Sequence, residues 1–245
     1  MSKIYEALEN VEAEIKIITK EKPLHQSRVV QKPGVWRSPV ARGIERIDDL
    51  CQRVESLLPS PGKKILQFIG SRKGEGTSTI VRQFAGISAL KMGKSVLVLD
   101  TDRIDPVQPV LFDVRPKYCL NEVISDGGPI ERAYCQVADP RLYVCVVSGN
   151  SVSPAQVLNE SGLWEKLRAR FDLVVIDSPP LEVSSDGLAL VRKADGVILI
   201  IEAEKTRWPV IQNLRDSINK YGGNILGAVF NKRHYHVPGW IYKRL

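Results

Sequence analysis

An α/β domain on a doubly wound, mainly parallel sheet, preceded by a helical N-terminal arm, is the expectation for these 245 residues. The first reason is alternation. The β-rich runs "ILQFI", "SVLVLD", "LYVCVV", "LVVID", "VILIIEA" and "ILGAVFN" are separated by segments with helical signals, and strand–helix alternation builds parallel sheets. The second is that most of these runs are continuously apolar, as strands covered on both faces must be. The third is a glycine-rich stretch, "GSRKGEGTST", directly after the first run and before a helical segment. Glycines there let backbone N–H groups turn toward an anion, and a helix N-terminus favours negative charge.

Along the chain, residues 1–19 place Ile4, Leu8, Val11, Ile15 and Ile18 at steps of four and three. That is the spacing of a coiled-coil seam, or of an apolar helix face laid on its own domain. Residues 20–41 include Pro23, Pro33 and Pro39 and show no period, which reads as an extended linker. From Arg42 to Leu58 a helical pattern resumes, with Ile44, Ile47, Leu50, Val54 and Leu57 on one side, and "PSPGKK" ends it. Gly93 closes the helix that follows the glycine-rich stretch. Thr206 precedes a helix with Pro209 in its first turn and Gly222-Gly223 as its stop. The α/β domain spans residues 42–233, and residues 234–245 form a tail.

Composition narrows the function classes. The chain is 43% hydrophobic and 26% charged, ordinary for a globular protein, and no apolar run approaches the length of a membrane span. The opening "MSKIYEALENVEAEIK" carries acids and no apolar h-region, so a signal peptide is not expected. Cys51, Cys119, Cys135 and Cys145 lack metal-ligand spacing. The net charge of +7 is concentrated at the ends: between Lys20 and Arg42, and after Asn231, basic residues far outnumber acids.

Sheets of this kind bind ligands at the carboxyl ends of their strands, and acids stand there. Asp100 and Asp102 follow "SVLVL" as "DTD", and Asp177 closes "FDLVVID". A lone strand-terminal aspartate is commonly a turn former or N-cap. Three beside a glycine loop are placed to hold Mg2+ directly or through water. The loop departs from G-x-x-x-x-G-K-[ST], whose lysine reaches the β- and γ-phosphates. Thr77 stands in the lysine position and Ser71 in that of the first glycine. The residues alone leave a nucleotide site without its lysine, a site drawing its charge from elsewhere, or no site.

From about Gly62 to Arg233 the chain resembles the bacterial tyrosine kinases (BY-kinases) of exopolysaccharide synthesis, relatives of the plasmid-partition and division-site ATPases. "GSRKGEGTST" is similar to their Walker A motif, "VLVLDTDRIDP" to Walker A′ and "FDLVVIDSPP" to Walker B. "SSDGLALVRKADGVILIIEAEKT" and "ILGAVFNKR" continue the pattern, and "MSKIYEALE" is similar to the opening of members encoded with polysaccharide secretion. The resemblance implies a P-loop NTPase fold, with ATP or ADP and Mg2+ as cofactors. It also implies roles. The amides of Gly74, Glu75, Gly76 and Thr77 would cradle phosphates, with Lys73 beside them. Ser78 would coordinate Mg2+, and Thr79 would lie near the α-phosphate. Asp102 and Asp177 would orient Mg2+-bound water, and Asp100 would be the base for a tyrosine hydroxyl. Asn231 would face adenine, its plainer alternative being a strand-ending turn residue.

The departures fall on the parts that carry the chemistry. Thr77 replaces the lysine, and Ile104 stands where an arginine is expected two places after Asp102. The Glu-x-x-Arg-x-x-Arg assembly motif after "SPVA" corresponds to Arg42, Glu45 and Asp48, and the terminal tyrosine cluster is reduced to Tyr235 and Tyr242. Arg72 and Lys73 are candidates for the missing charge, against the bland alternative of solvated loop cations. Arg72 is the stronger, because it aligns with a second lysine that partition-type relatives use across a dimer. It therefore joins Asp100 and Asp102 as a candidate catalytic residue. The expectation is a nucleotide-binding regulator of polysaccharide polymerisation or export, weak or inactive as a kinase. Its rivals are an active autokinase using Arg72 or Lys73, and a structural interaction module that binds no nucleotide.

The last fifteen residues, "NKRHYHVPGWIYKRL", interleave Tyr235, Trp240 and Tyr242 with basic side chains. That composition suits a membrane or membrane partner first, docking on its own domain second, and nucleic acid least. The partner implied is a membrane-embedded chain-length or export protein. A homo-oligomer stays open, nucleic acid is disfavoured, and the expected location is cytoplasmic, at the inner face of the cell membrane.

Overall fold

The computed structural model describes residues 41–58, 62, 64–137, 139, 141–147, 158 and 162–233. The predicted helix of residues 1–19, the linker through residue 40 and the tail 234–245 lie outside the described residues. Within them, β1 (Lys64–Gly70), β2 (Val96–Asp100), β3 (Cys135–Gln136), β4 (Leu142–Val146), β5 (Leu173–Asp177), β6 (Gly196–Glu202) and β7 (Ile225–Asn231) form one sheet in the order β3-β4-β2-β5-β1-β6-β7. Every pairing is parallel except β3 with β4. All six β-rich runs are strands. The two-residue β3 has no counterpart among them, because so short a strand leaves no periodicity to see.

Successive side chains of a strand point to opposite faces, and each face has its own cover. Leu66, Phe68 and Val98 pack with Ile47, Leu50 and Val54 of α1 (Ala41–Leu57), and with Ile80, Val81 and Phe84 of α2 (Thr77–Leu90). Phe68 and Phe84 meet with ring centroids 5.1 Å apart. Their neighbours Ile65, Leu97 and Leu99 face the other way. They meet Leu120 and Val123 of a short helix that follows α3 (Gln108–Leu111), namely α4 (Leu120–Ser125), and Leu163 and Leu167 of α5 (Leu163–Arg170). Beyond α6 (Asp186–Leu190), Leu214 and Ile218 of α7 (Trp208–Lys220) cover Ile69, Val197 and Leu199 on that same face. Helices on both faces make the sheet doubly wound.

One apolar position differs from expectation. Leu57 is half exposed, whereas Leu58 is buried. Ile47, Cys51, Val54 and Leu58 follow one another at steps of four, three and four, which is the true stripe of α1. Leu57 falls on its margin.

Candidate functional site

Gly70, Asp100 and Asp177 end β1, β2 and β5, which lie side by side. Parallel register sets Asp100 opposite Asp177, and Asp177 opposite Phe68. The strand-to-helix turn after β1 therefore overhangs two carboxylates. This is the sheet edge at which a phosphate loop and a metal site can be neighbours.

The loop is braced from beneath. Glu75, 1% exposed, turns its side chain inward. Its Oε2 accepts N–H bonds from Ser71 at 2.6 Å and Arg72 at 3.0 Å, and its Oε1 accepts the Thr206 hydroxyl at 2.7 Å. Its own carbonyl accepts Asn231 Nδ2 at 2.8 Å. Close contact explains two glycines. A Cβ at Gly70 would come 2.6 Å from Glu75 Oε2, and one at Gly76, where φ is +93°, would come 2.2 Å from Asn231 Nδ2. The sequence pointed to the Glu75 amide. Its side chain, which the structure puts at the centre of the loop, carries the signal of a glutamate within reach of N–H groups three and four residues back.

Thr77 is the first residue of α2 and is nearly buried, 9% exposed. Its hydroxyl lies over Gly70, where a Cβ would approach it to 2.9 Å. Ser78 and Thr79 follow at the start of the same helix, Ser78 half-buried and Thr79 exposed. Gly74, φ +90°, sits exposed at the tip of the loop. Lys73 points away from the loop, pairing with Asp105 at 3.1 Å, while its amide donates to Glu182 at 2.6 Å. Arg72 is exposed, and no ion pair holds its guanidinium among the described residues. Lys232, φ +57°, follows Asn231 and latches the loop by donating from Nζ to the Gly74 carbonyl.

The acids occupy unlike surroundings. Asp102 is half-buried, and its Oδ1 accepts the amides of Ile104 and Asp105, both at 3.1 Å, which shapes the turn after β2. Asp100 is fully buried and accepts the amides of Asp102 at 3.1 Å and Gln108 at 2.9 Å. Asp177 is 2% exposed and accepts Gln108 Nε2 at 2.7 Å on Oδ2, while its Oδ1 has no hydrogen-bond partner. Burial pushes both carboxyls above the ordinary range. The negative charge of Asp177 adds to the rise at Asp100, while the hydrogen bond from Gln108 and the nearby Ser78 hydroxyl offset part of it at Asp177. Gln108 has no signal in the sequence, because a single amide between proline and valine residues forms no motif.

A bare, buried carboxylate oxygen beside a helix-start hydroxyl, with a second carboxylate adjacent, fits an oxygen-seeking divalent ion.

No protein-family model matches the chain. Curated relatives do. The tyrosine-protein kinase CpsD of Streptococcus pneumoniae is 27% identical over 199 residues, covering 79% of this chain and 86% of that one. The tyrosine-protein kinase YwqD of Bacillus subtilis is 27% identical over 208 residues, covering 84% and 87%. Over about four-fifths of its length the chain is thus similar to bacterial tyrosine-protein kinases. Solved structures agree in fold. The kinase domain of the Escherichia coli tyrosine kinase ETK superposes with a TM-score of 0.76 at 18% identity, covering 93% of this chain and 94% of that one. The septum site-determining protein MinD of Pyrococcus horikoshii, complexed with Mg-ADP, does so with 0.57 at 18%, covering 74% and 76%. The loop, both buried carboxylates and Asn231 converge at one edge of the sheet.

Proposed function

We propose that this chain is of the BY-kinase type, that it binds ADP or ATP with Mg2+, and that it regulates exopolysaccharide polymerisation or export through a membrane-embedded partner, with kinase activity weak or absent. The observation that carries it is the pairing of a fully braced phosphate loop with a buried Thr77 where a lysine would stand. The loop amides from Gly74 to Thr77 would face phosphate, Ser78 and Asp177 would hold the metal, with Asp102 on its water, and Asn231 would border the base. Mg2+, when bound, would supply positive charge to phosphate oxygens. Loss of one charge-assisted hydrogen bond costs about 1.5–3 kcal/mol, so binding falls by roughly ten- to a hundredfold and survives. Transfer suffers more, since its catalysis is largely electrostatic stabilisation of the phosphoryl oxygens. Exposed Ile104 adds no charge there.

The active autokinase is the second reading, and one observation favours it: the Arg72 guanidinium stands at the loop without an ion pair among the described residues, whereas Lys73 is engaged by Asp105. Asp100 would then be the base. No helix among the described residues is long and apolar enough to cross a membrane, so the membrane link is assigned to the partner and to the chain's basic ends. Calorimetry with ADP and ATP, with and without Mg2+, followed by an autophosphorylation assay on the same full-length preparation, tests the proposal. Mg2+-dependent binding in the micromolar to millimolar range without phosphotyrosine is expected. Phosphotyrosine that Asp100→Asn abolishes would promote the autokinase, and no binding at all would leave only a structural module.

A further inference from the structure

Gln108 touches all three motifs of the site. It is fully buried at the start of α3. Its backbone N–H donates to Asp100 Oδ2 at 2.9 Å, and its Nε2 donates to Asp177 Oδ2 at 2.7 Å and to the Ser78 carbonyl at 3.0 Å. Two acceptors on one side fix the amide's orientation, since only nitrogen can donate to them. Its Oε1 therefore faces away, and like Asp177 Oδ1 it is buried without a hydrogen-bond partner. The two oxygens of Asp177 are thereby made unequal. One is held by an amide and the other is presented bare.

We propose that Gln108 is the positioning residue for the divalent cation, holding the Asp177 carboxylate and the first turn of α2 in fixed relation so that Asp177 Oδ1 stays turned toward the metal and its water. This rests on the Mg2+-nucleotide reading above and adds a residue to it. A hard cation requires its oxygen acceptors at set distances, and groups that orient such acceptors influence metal affinity nearly as much as the ligands do. Gln108 is suited to this because it is neutral. A cation at that place would repel the metal, and a third carboxylate beside Asp100 and Asp177 would compound their repulsion.

A structural role alone would weaken folding without singling out the metal, so the test separates the two. ADP binding to full-length wild type and Gln108→Met is measured by calorimetry in EDTA and across a Mg2+ titration. The methionine keeps the volume and removes both donors. The Mg2+ concentration for half-maximal enhancement should rise by roughly ten- to a hundredfold in the variant, while metal-free ADP affinity stays within about twofold. In case the variant fails to fold, wild type labelled with 15N in its glutamine side chains is titrated with Mn2+ and ADP. A buried side-chain amide should broaden beyond detection as the paramagnetic ion binds. Identical Mg2+ dependence in the two proteins, a parallel loss of metal-free and metal-dependent affinity, or unbroadened glutamine amides would each overturn the role of Gln108. Wild type that binds no nucleotide with Mg2+ would instead bring down the proposed function itself, and this inference with it.

Discussion

The phosphate loop and the acidic pair beneath it are neighbours built on opposite principles. In the loop, Glu75 accepts three hydrogen bonds and its carbonyl takes a fourth, so both of its carboxylate oxygens are engaged. In the acidic pair, two carboxylates are buried side by side, and Asp177 keeps an oxygen with no partner. A satisfied element holds its shape by itself. An unsatisfied one stores a demand that a ligand can meet, since buried polar groups are normally paired. On the proposed function the lesson is a division of labour: the chain would prepare the anion cradle in advance and, with threonine at position 77, would leave the positive charge to the metal.

The most disruptive way to break that contrast is to remove the brace. Glu75→Ala strips acceptors from the amides of Ser71 and Arg72 and from the Thr206 hydroxyl. With each orphaned buried donor costing about 1–3 kcal/mol, a loss of about 3 kcal/mol or more in urea unfolding is expected, together with loss of ADP binding. A variant of wild-type stability that still binds ADP would show that the loop does not depend on its glutamate.

How much of this could be read beforehand depends on whether a residue belongs to a repeating pattern. The six main strands were legible because burial on both faces makes each an apolar run. The positions of Asp100 and Asp177 followed from strand ends, and the loop from its glycines. Glu75 and Gln108 were not legible in their roles, because each acts through contacts with backbone that only folding brings within reach. Leu57 was misplaced for a milder reason: at the end of a helix, two adjacent leucines differ by 100° in direction, and the heptad-like count picked the wrong one.

The acidic pair predicts a pH signature of its own. Its carboxyls titrate higher in the folded chain than in the unfolded one, so the folded state binds protons more tightly. Below the unfolded carboxylate value, near pH ~4, both states are protonated and nothing is lost. As pH rises from there through the raised folded values, the unfolded chain releases its protons first and stability falls. Chemical unfolding of the metal-free, nucleotide-free protein from pH 4 upward should show this decline, and Mg2+ with ADP should flatten it at neutral pH. A stability that rises over the same interval would show that the pair is compensated by other groups.

Restoring the charge sharpens the comparison from the other side. Thr77→Lys should tighten ADP by about tenfold, or ~1.4 kcal/mol, and should make binding less dependent on Mg2+. Calorimetry with and without the metal reads both. Unchanged affinity would mean either that Arg72 already supplies the charge or that the inward turn of position 77 over Gly70 keeps a lysine from reaching out. Adding Arg72→Ala separates these, since only the first predicts a loss.

The smallest effect is expected at Lys73, and its smallness is informative. Its ammonium pairs with Asp105 in the open, with 75% and 60% of the two side chains exposed, and exposed ion pairs contribute about 0–1 kcal/mol because water and salt screen them. The pair also turns the side chain toward the loop after β2, away from the place that the Thr77 position would have supplied with charge. Lys73→Ala should therefore change unfolding stability by less than about 0.5 kcal/mol and leave ADP affinity nearly as it was, while Arg72→Ala weakens it more. The reverse ranking by calorimetry would mean that Lys73 leaves Asp105 when nucleotide arrives. The charge missing at position 77 would then come from the loop itself, and the division of labour between cradle and metal would be less strict than the resting geometry implies.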